Sequence, residues 1–270
     1  MPADQQRTDT DTVKVDLGGR EVAVPKGGLY DRYRMRPDHD AIARDPRVSG
    51  VDFFRPLPKT KVDSPVGPTL TPNFYYALSS ARLTMLAPAS VIRARLPGEL
   101  SPLEVVPGLG LVSVMFFRYD VCYIDFYTEA AVGIAVRPAR HGRVGFLDLV
   151  TGLKNEDLHS YVLSLPVSSE IAQVRGHDGY GFPKWVTGLD VEIDHSRTAA
   201  RVANDSGGLD LALQAPTPRV SPTTPVGSTW RSRRRPRGRP HRPAGSGSLR
   251  SPRTRRSTVG GIRPSTRPTC

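Results

Sequence analysis

The chain has 270 residues, 38% of them hydrophobic, which is enough apolar material for one sizeable core. Its formal charge of +12 is concentrated: residues 216–270 hold 14 arginines, no lysine and no acid, leaving 24 basic against 26 acidic residues before them, so the body has no positive field that would attract nucleic acid. No apolar run approaches the roughly 18–20 residues of a spanning helix, and no basic-then-apolar leader opens the chain, so it reads as soluble and cytoplasmic, without a membrane partner.

Residues 1–70 are polar and proline-rich and read as an irregular N-terminal extension. The pairs Gly18-Gly19 and Gly27-Gly28, and Gly108-Leu109-Gly110 further on, are turn signals; none has the strand, glycine loop and helix that a dinucleotide would need. Val91 to Leu96, closed by Pro97-Gly98, reads as the end of a helix. Strands are expected at Leu111–Tyr119, Ala130–Arg137, Val144–Val150, Leu158–Leu165, Gly188–Asp194, Ala199–Ala203 and Leu209–Leu213, separated by Gly, Pro, Asn or Asp. Their spacing suits antiparallel pairing, and the fold class is mainly β (β-rich α+β) over residues 71–215.

Between two of these strands, Ser168 to Gly176 reads as a short helix with Ser168 as N-cap, Ile171 and Val174 on one face and Gly176 as its stop. It leads into Gly176-His177-Asp178-Gly179-Tyr180-Gly181-Phe182-Pro183-Lys184-Trp185. Pro183 fixes its own φ and biases Phe182 toward an extended conformation, while Gly179 and Gly181 permit close backbone approach. A lysine in water has a pKa of about 10.4 and is protonated; full burial can lower such a value by about 3–5 units and free the amine to condense with a ketone. Lys184 is therefore the candidate nucleophile.

Glu129 is the second candidate. Strand alternation places it with Tyr127, Ala131, Gly133 and Ala135, and places Thr128, Val132, Ile134 and Val136 on the other face. If the first face lines a cavity, its small side chains leave room for a ligand that the carboxylate could position or serve with a proton. If it faces outward, Glu129 is simply solvated. The six histidines show no metal-ligand spacing and Cys122 and Cys270 stand alone, so neither a metal nor another cofactor is expected. Arg82, Arg93, Arg95 and Arg118 are candidates to hold a substrate carboxylate, with Arg82 and Arg118 ranked first.

The loop and the strand together resemble the acetoacetate decarboxylase family. Gly176, Asp178, Phe182, Pro183 and Lys184 match the family's turn into an aromatic-Pro-Lys step, and Tyr127-Thr128-Glu129-Ala130-Ala131-Val132-Gly133-Ile134-Ala135-Val136 matches its Tyr-Thr-Glu strand. The likeness spans roughly residues 75–214 and is strongest between 111 and 194. It implies a cone-shaped antiparallel β-barrel whose lumen holds a Schiff-base lysine at Lys184. It further implies a lyase acting on a β-keto acid or related carbonyl compound, or the aldolase and dehydratase chemistry of related enzymes. Phe182, Trp185 and Tyr127 would line the site, no arginine falls clearly at the family's substrate-carboxylate position, and a homo-oligomer is possible. Two positions depart from the pattern. Trp185 stands where the family has a second lysine, the source of pKa depression described for acetoacetate decarboxylase itself. Val114-Met115-Phe116 stands where another lumen glutamate would be.

From Pro216 the composition changes abruptly to Arg, Pro, Ser, Thr and Gly with no period of 2 or 3.6, as in Arg231-Ser232-Arg233-Arg234-Arg235-Pro236-Arg237. Such a segment is expected to be disordered. Its composition is what GC-rich coding DNA yields out of frame, and a frameshift that removes the last barrel strands is the favoured reading. A barrel left incomplete would open the lumen and weaken the desolvation of Lys184, so this form could be inactive. Two other readings stay open: a non-catalytic small-molecule-binding barrel in which Lys184 is only a counter-ion, and a nucleic-acid binder acting through the arginine-rich tail.

Overall fold

The computed structural model describes residues 11–138, 147, 149, 150, 154 and 158–217. All of them fall within the first, Met1–Ser221, of the two units into which the chain divides. The N-terminal extension is not irregular. It forms a hairpin, β1 (Thr12–Leu17) with β2 (Arg20–Pro25), then two short helices, α1 (Leu29–Tyr33) and α2 (His39–Ile42). A second hairpin follows, β3 (Thr60–Ser64) with β4 (Gly67–Thr71). The first hairpin turns on Gly18 and Gly19, both at positive φ, the geometry that a two-residue loop between twisted strands requires. A side chain at Gly18 would collide with the Pro65 carbonyl of the second hairpin, so glycine there also lets the two turns meet. Polar strand faces hid these hairpins: Val15, Leu17, Val22 and Val24 are buried while their neighbours face water.

The framework follows. Strand β5 (Tyr75–Pro88) leads to helix α3 (Ala89–Arg93), two three-residue strands, β6 (Leu100–Pro102) and β7 (Glu104–Val106), and the long pair β8 (Leu109–Cys122) and β9 (Tyr127–Pro138). Strand β10 (His159–Val167), helix α4 (Glu170–Gln173), a π-helical turn (Val174–Asp178) and β11 (Lys184–Val186) complete it. The sheet runs β11-β10-β9-β8-β5, antiparallel except for the parallel pair of β10 with β11, and β6 and β7 pair with β9 and β8. Its path has two ends, so among the described residues the fold is strand-rich but the sheet does not close into a barrel. A separate antiparallel sheet, β12 (Leu189–Ile193), β13 (Arg197–Ala203) and β14 (Leu209–Pro216), covers the back of β8 and β9. There Phe116 and Ala130 pack against Leu189, Val191, Ala200 and Val202, and Thr128 donates from Oγ1 to the Leu189 carbonyl at 2.7 Å.

Other expectations shift. Ser169, not Ser168, caps α4, accepting from Ala172 N, while Ser168 Oγ accepts from Thr128 N. Gly176 does not stop the helix but sits inside the π turn. The strand expected at Val144–Val150 lies largely outside the described residues, and Leu147, Leu149 and Val150 are helical; a short apolar run does not by itself separate strand from helix. Strand β5 was not anticipated because it is an edge strand exposed on both faces from Arg82 to Leu86, so no alternation marks it. No helix among the described residues is long and apolar enough to cross a membrane.

The turn from β8 to β9 pins the N-terminal segment. Asp125, at φ 67°, accepts from Leu29 N and Tyr30 N, and burial pushes its carboxyl up from 3.8 to about 6. A raised acid value means that the folded chain keeps this proton to higher pH than the unfolded one. That contribution is intact below about pH 4 and is lost as pH rises through about 6. Asp125→Asn, which tolerates the left-handed backbone and still accepts from Leu29, is expected to remove the penalty. Its urea midpoint should exceed the wild type's by a margin that grows between pH 4 and pH 7 and then levels off.

Candidate active site

Glu129 is the third residue of β9, opposite Phe117 of β8 and Val167 of β10. Lys184 opens β11 opposite Leu165 of β10. The π turn and the glycine loop set the height of that lysine. Phe182 N donates to the Gly176 carbonyl and Gly181, at φ 71°, reverses the chain, so that the Lys184 stem folds back over Gly176. A β-carbon on Gly176 would lie 2.4 Å from Lys184 Cδ, so only glycine admits this path. The amine then reaches Glu129, with Nζ 2.5 Å from Oε2 and both side chains about 9% exposed.

Three tyrosines close around this pair. The Tyr119 ring packs at a tilt against both Tyr75 and Tyr127, with centroids 4.6 Å apart in each pair, Tyr119 Oη donates to Glu129 Oε1 at 3.4 Å, and Lys184 Nζ lies 5.5 Å from the Tyr127 ring centroid. Burial, and then the Glu129 charge, push the Tyr119 and Tyr127 phenols far above their ordinary value, so both remain donors. In front of the amine is a cavity of about 390 Å³ whose walls include Tyr75, Ile124, Arg175, Phe182 and Lys184. A buried amine, a carboxylate in contact with it and a cavity for a small molecule can together bind a carbonyl compound and move a proton.

The acetoacetate decarboxylase (ADC) family model matches residues 63–218, more than half of the chain. The chain belongs to the acetoacetate decarboxylase family. Solved structures of the same kind are similar at low identity. The acetoacetate decarboxylase of Legionella pneumophila is 16% identical over 59% of this chain and 55% of its own, with a TM-score of 0.40. An acetoacetate decarboxylase-like enzyme of Sphingomonas wittichii RW1 is 15% identical over 47% and 52%, with a TM-score of 0.31. The chain spans about half the length of the solved structures it matches. No curated protein matches it.

Of the residues that the family likeness singled out, Lys184 and Glu129 come together, Tyr127 lies beneath the amine and Phe182 walls the cavity. Trp185 does not join them: alternation along β11 turns it away, and its indole donates to Ser164 Oγ at 3.3 Å. Arg82 is exposed on β5 and donates to Ser113 Oγ at 3.3 Å, while Arg118 pairs with Asp120 at 2.8 Å on the face opposite Glu129. Tyr75, Tyr119 and Arg175 were missed. Tyr119 carried a readable signal, since pairing β8 with β9 in register sets it against Tyr127. Arg175 carried none, because an arginine on a short helix is usually solvated. Among the described residues no three His, Cys, Asp or Glu side chains gather as a metal ion would need.

The ion pair is buried, so each partner depends on the other. Glu129→Ala is expected to cost about 3–5 kcal/mol, because it leaves the ammonium without a counter-charge, whereas Glu129→Leu combined with Lys184→Met should be close to neutral. Urea unfolding of the two variants beside the wild type measures both.

Proposed function

We propose that this chain is an acetoacetate decarboxylase-like lyase that forms a Schiff base between Lys184 and the ketone of a β-keto acid. The observation that carries the reading is the 2.5 Å contact of Lys184 Nζ with Glu129 Oε2 beside a cavity of small-molecule size. Glu129 accepts the proton that the amine must lose before it attacks, and the free amine adds to the ketone carbon. Loss of water gives an iminium, whose positive nitrogen draws the electron pair of the breaking carbon–carboxylate bond as carbon dioxide departs. The resulting enamine takes a proton on carbon, for which Glu129 is the nearest placed acid, and hydrolysis returns the amine. Tyr119 holds Glu129 through its hydroxyl, and with Tyr127 it excludes water, which strengthens the electrostatics of each step. The covalent step sets this reading apart from a ligand carrier in which Lys184 is only a counter-ion.

Reduction with borohydride in the presence of 3-oxobutanoate should add the mass of the reduced adduct to the peptide containing Lys184, and to no peptide in Lys184→Arg. Glu129→Gln should slow trapping by about 10²–10⁴-fold. Gly176→Ala should lower it as well, by displacing the lysine stem. Retained ligand binding without an adduct would establish the carrier reading instead.

A further inference from the structure

Arg175 is the largest fully buried side chain among the described residues, at 1% exposure. Its Nη2 donates to Thr69 Oγ1 at 2.9 Å, and its Cζ stands 5.6 Å and 5.8 Å from the centroids of the Tyr30 and Tyr123 rings. Nε and Nη1 have no partner, although both are buried. Among the described residues no carboxylate lies within ion-pair distance of it. A guanidinium is seldom buried without a matching negative charge, because removing it from water is expensive and its donors then go unmet. Arg175 nevertheless lines the cavity that Lys184 lines, one residue before the glycine over which the lysine stem passes. Asn73 lines it too, with its amide Oδ1 unpartnered.

A second cation stands behind this wall. Lys59 donates to the Pro72 carbonyl at 2.6 Å, and its Nζ lies 3.6 Å and 4.4 Å from the Tyr123 and Phe74 ring centroids. The cavity thus has an ion-paired amine at one place and, at another, positive charge with free donors.

We propose that Arg175, backed by Lys59, is the anion-binding locus of this cavity and holds the carboxylate of the substrate whose ketone meets Lys184. This rests on the Schiff-base reading for the ketone half and stands without it for the carboxylate half. A guanidinium keeps its charge when buried and directs its donors along fixed lines, so a carboxylate oxygen accepting from Nε or Nη1 would meet a donor that the fold leaves without a partner. The locus makes the site selective for keto acids over neutral ketones of the same shape. It replaces Arg82 and Arg118, which the fold directs elsewhere.

Lys59 adds a pH dependence. Burial, and then repulsion from Arg175, lower its ammonium to about 8. The groups around it stay silent in that range: His39, held below 6.5 by burial and by Arg55 and Lys59, is already neutral, and burial pushes the Tyr123 phenol up to about 12. Above pH 8 Lys59 therefore loses its charge and carboxylate binding weakens.

Borohydride trapping of 3-oxobutanoate is compared with trapping of its neutral methyl ester. The wild type should half-saturate at an acid concentration lower than that of the ester by about tenfold or more. Arg175→Met should trap both alike while still trapping the ester, and Lys59→Met should shrink the advantage of the acid. Equal trapping of acid and ester by the wild type overturns the proposal even if the buried Arg175→Met variant fails to fold. Calorimetry with butanoate, which has no ketone, tests the locus apart from Lys184 chemistry. Binding that weakens from pH 7 to pH 9 in the wild type but not in Lys59→Met supports it, and no binding to the wild type overturns it. An absence of adduct with both carbonyl compounds, with butanoate bound, would sink the Schiff-base reading alone.

Discussion

The contact between the Lys184 ammonium and the Glu129 carboxylate organises the centre of this molecule. Two opposite charges, each almost wholly removed from water, are stable together only when held at short range with their remaining bonding capacity met, and the surrounding structure serves that need. Strand β9 delivers the carboxylate between β8 and β10, the π turn and Gly176 let the lysine stem bend back far enough to reach it, and Tyr119 takes the second carboxylate oxygen.

The family pattern places a second lysine directly after the position that Lys184 holds. Trp185 occupies the position of that lysine and turns away toward Ser164, so no ammonium stands next in sequence to Lys184. Lys184 instead has the Glu129 carboxylate 2.5 Å away, beside phenols that burial keeps neutral. The positive charge that the neighbouring position lacks appears elsewhere along the cavity, at Arg175 and behind it at Lys59. The first belongs to the turn after α4 and the second precedes β3, which is why neither looked like part of the site.

The open edges of the sheet and the outer cover have separate origins. The β12–β14 sheet covers the back of β8 and β9 and buries Phe116, Thr128 and Ala130 on the face opposite Glu129. The front is sealed by the N-terminal hairpins, whose Val15, Leu17, Val22, Val24 and Val66 share a core with Tyr119, Tyr127 and Val174. Asp125 ties the two parts by capping the first N–H groups of α1 from the β8–β9 turn. The segment before β5 is therefore part of the site's enclosure rather than an appendage.

Local pattern was sufficient for some of this. The alternation in Tyr127–Pro138, the aromatic-Pro-Lys step and the glycines around it mark a strand carrying Glu129 and a constrained turn carrying Lys184, because side-chain period and backbone freedom are properties of neighbouring residues. The strand-rich class followed from the same signals. The partners of that chemistry did not. Whether Glu129 faced solvent or lysine, which arginine met the cavity, and that Gly176 rather than Gly179 allowed the close approach were all decided by strands and turns distant in sequence. Arg175 meets Thr69 across 106 residues and Lys184 meets Glu129 across 55, and no periodicity within one segment encodes such meetings. Edge strand β5 was hidden for the complementary reason: from Arg82 to Leu86 both of its faces are exposed, so the hydrophobic effect left no alternation there to read.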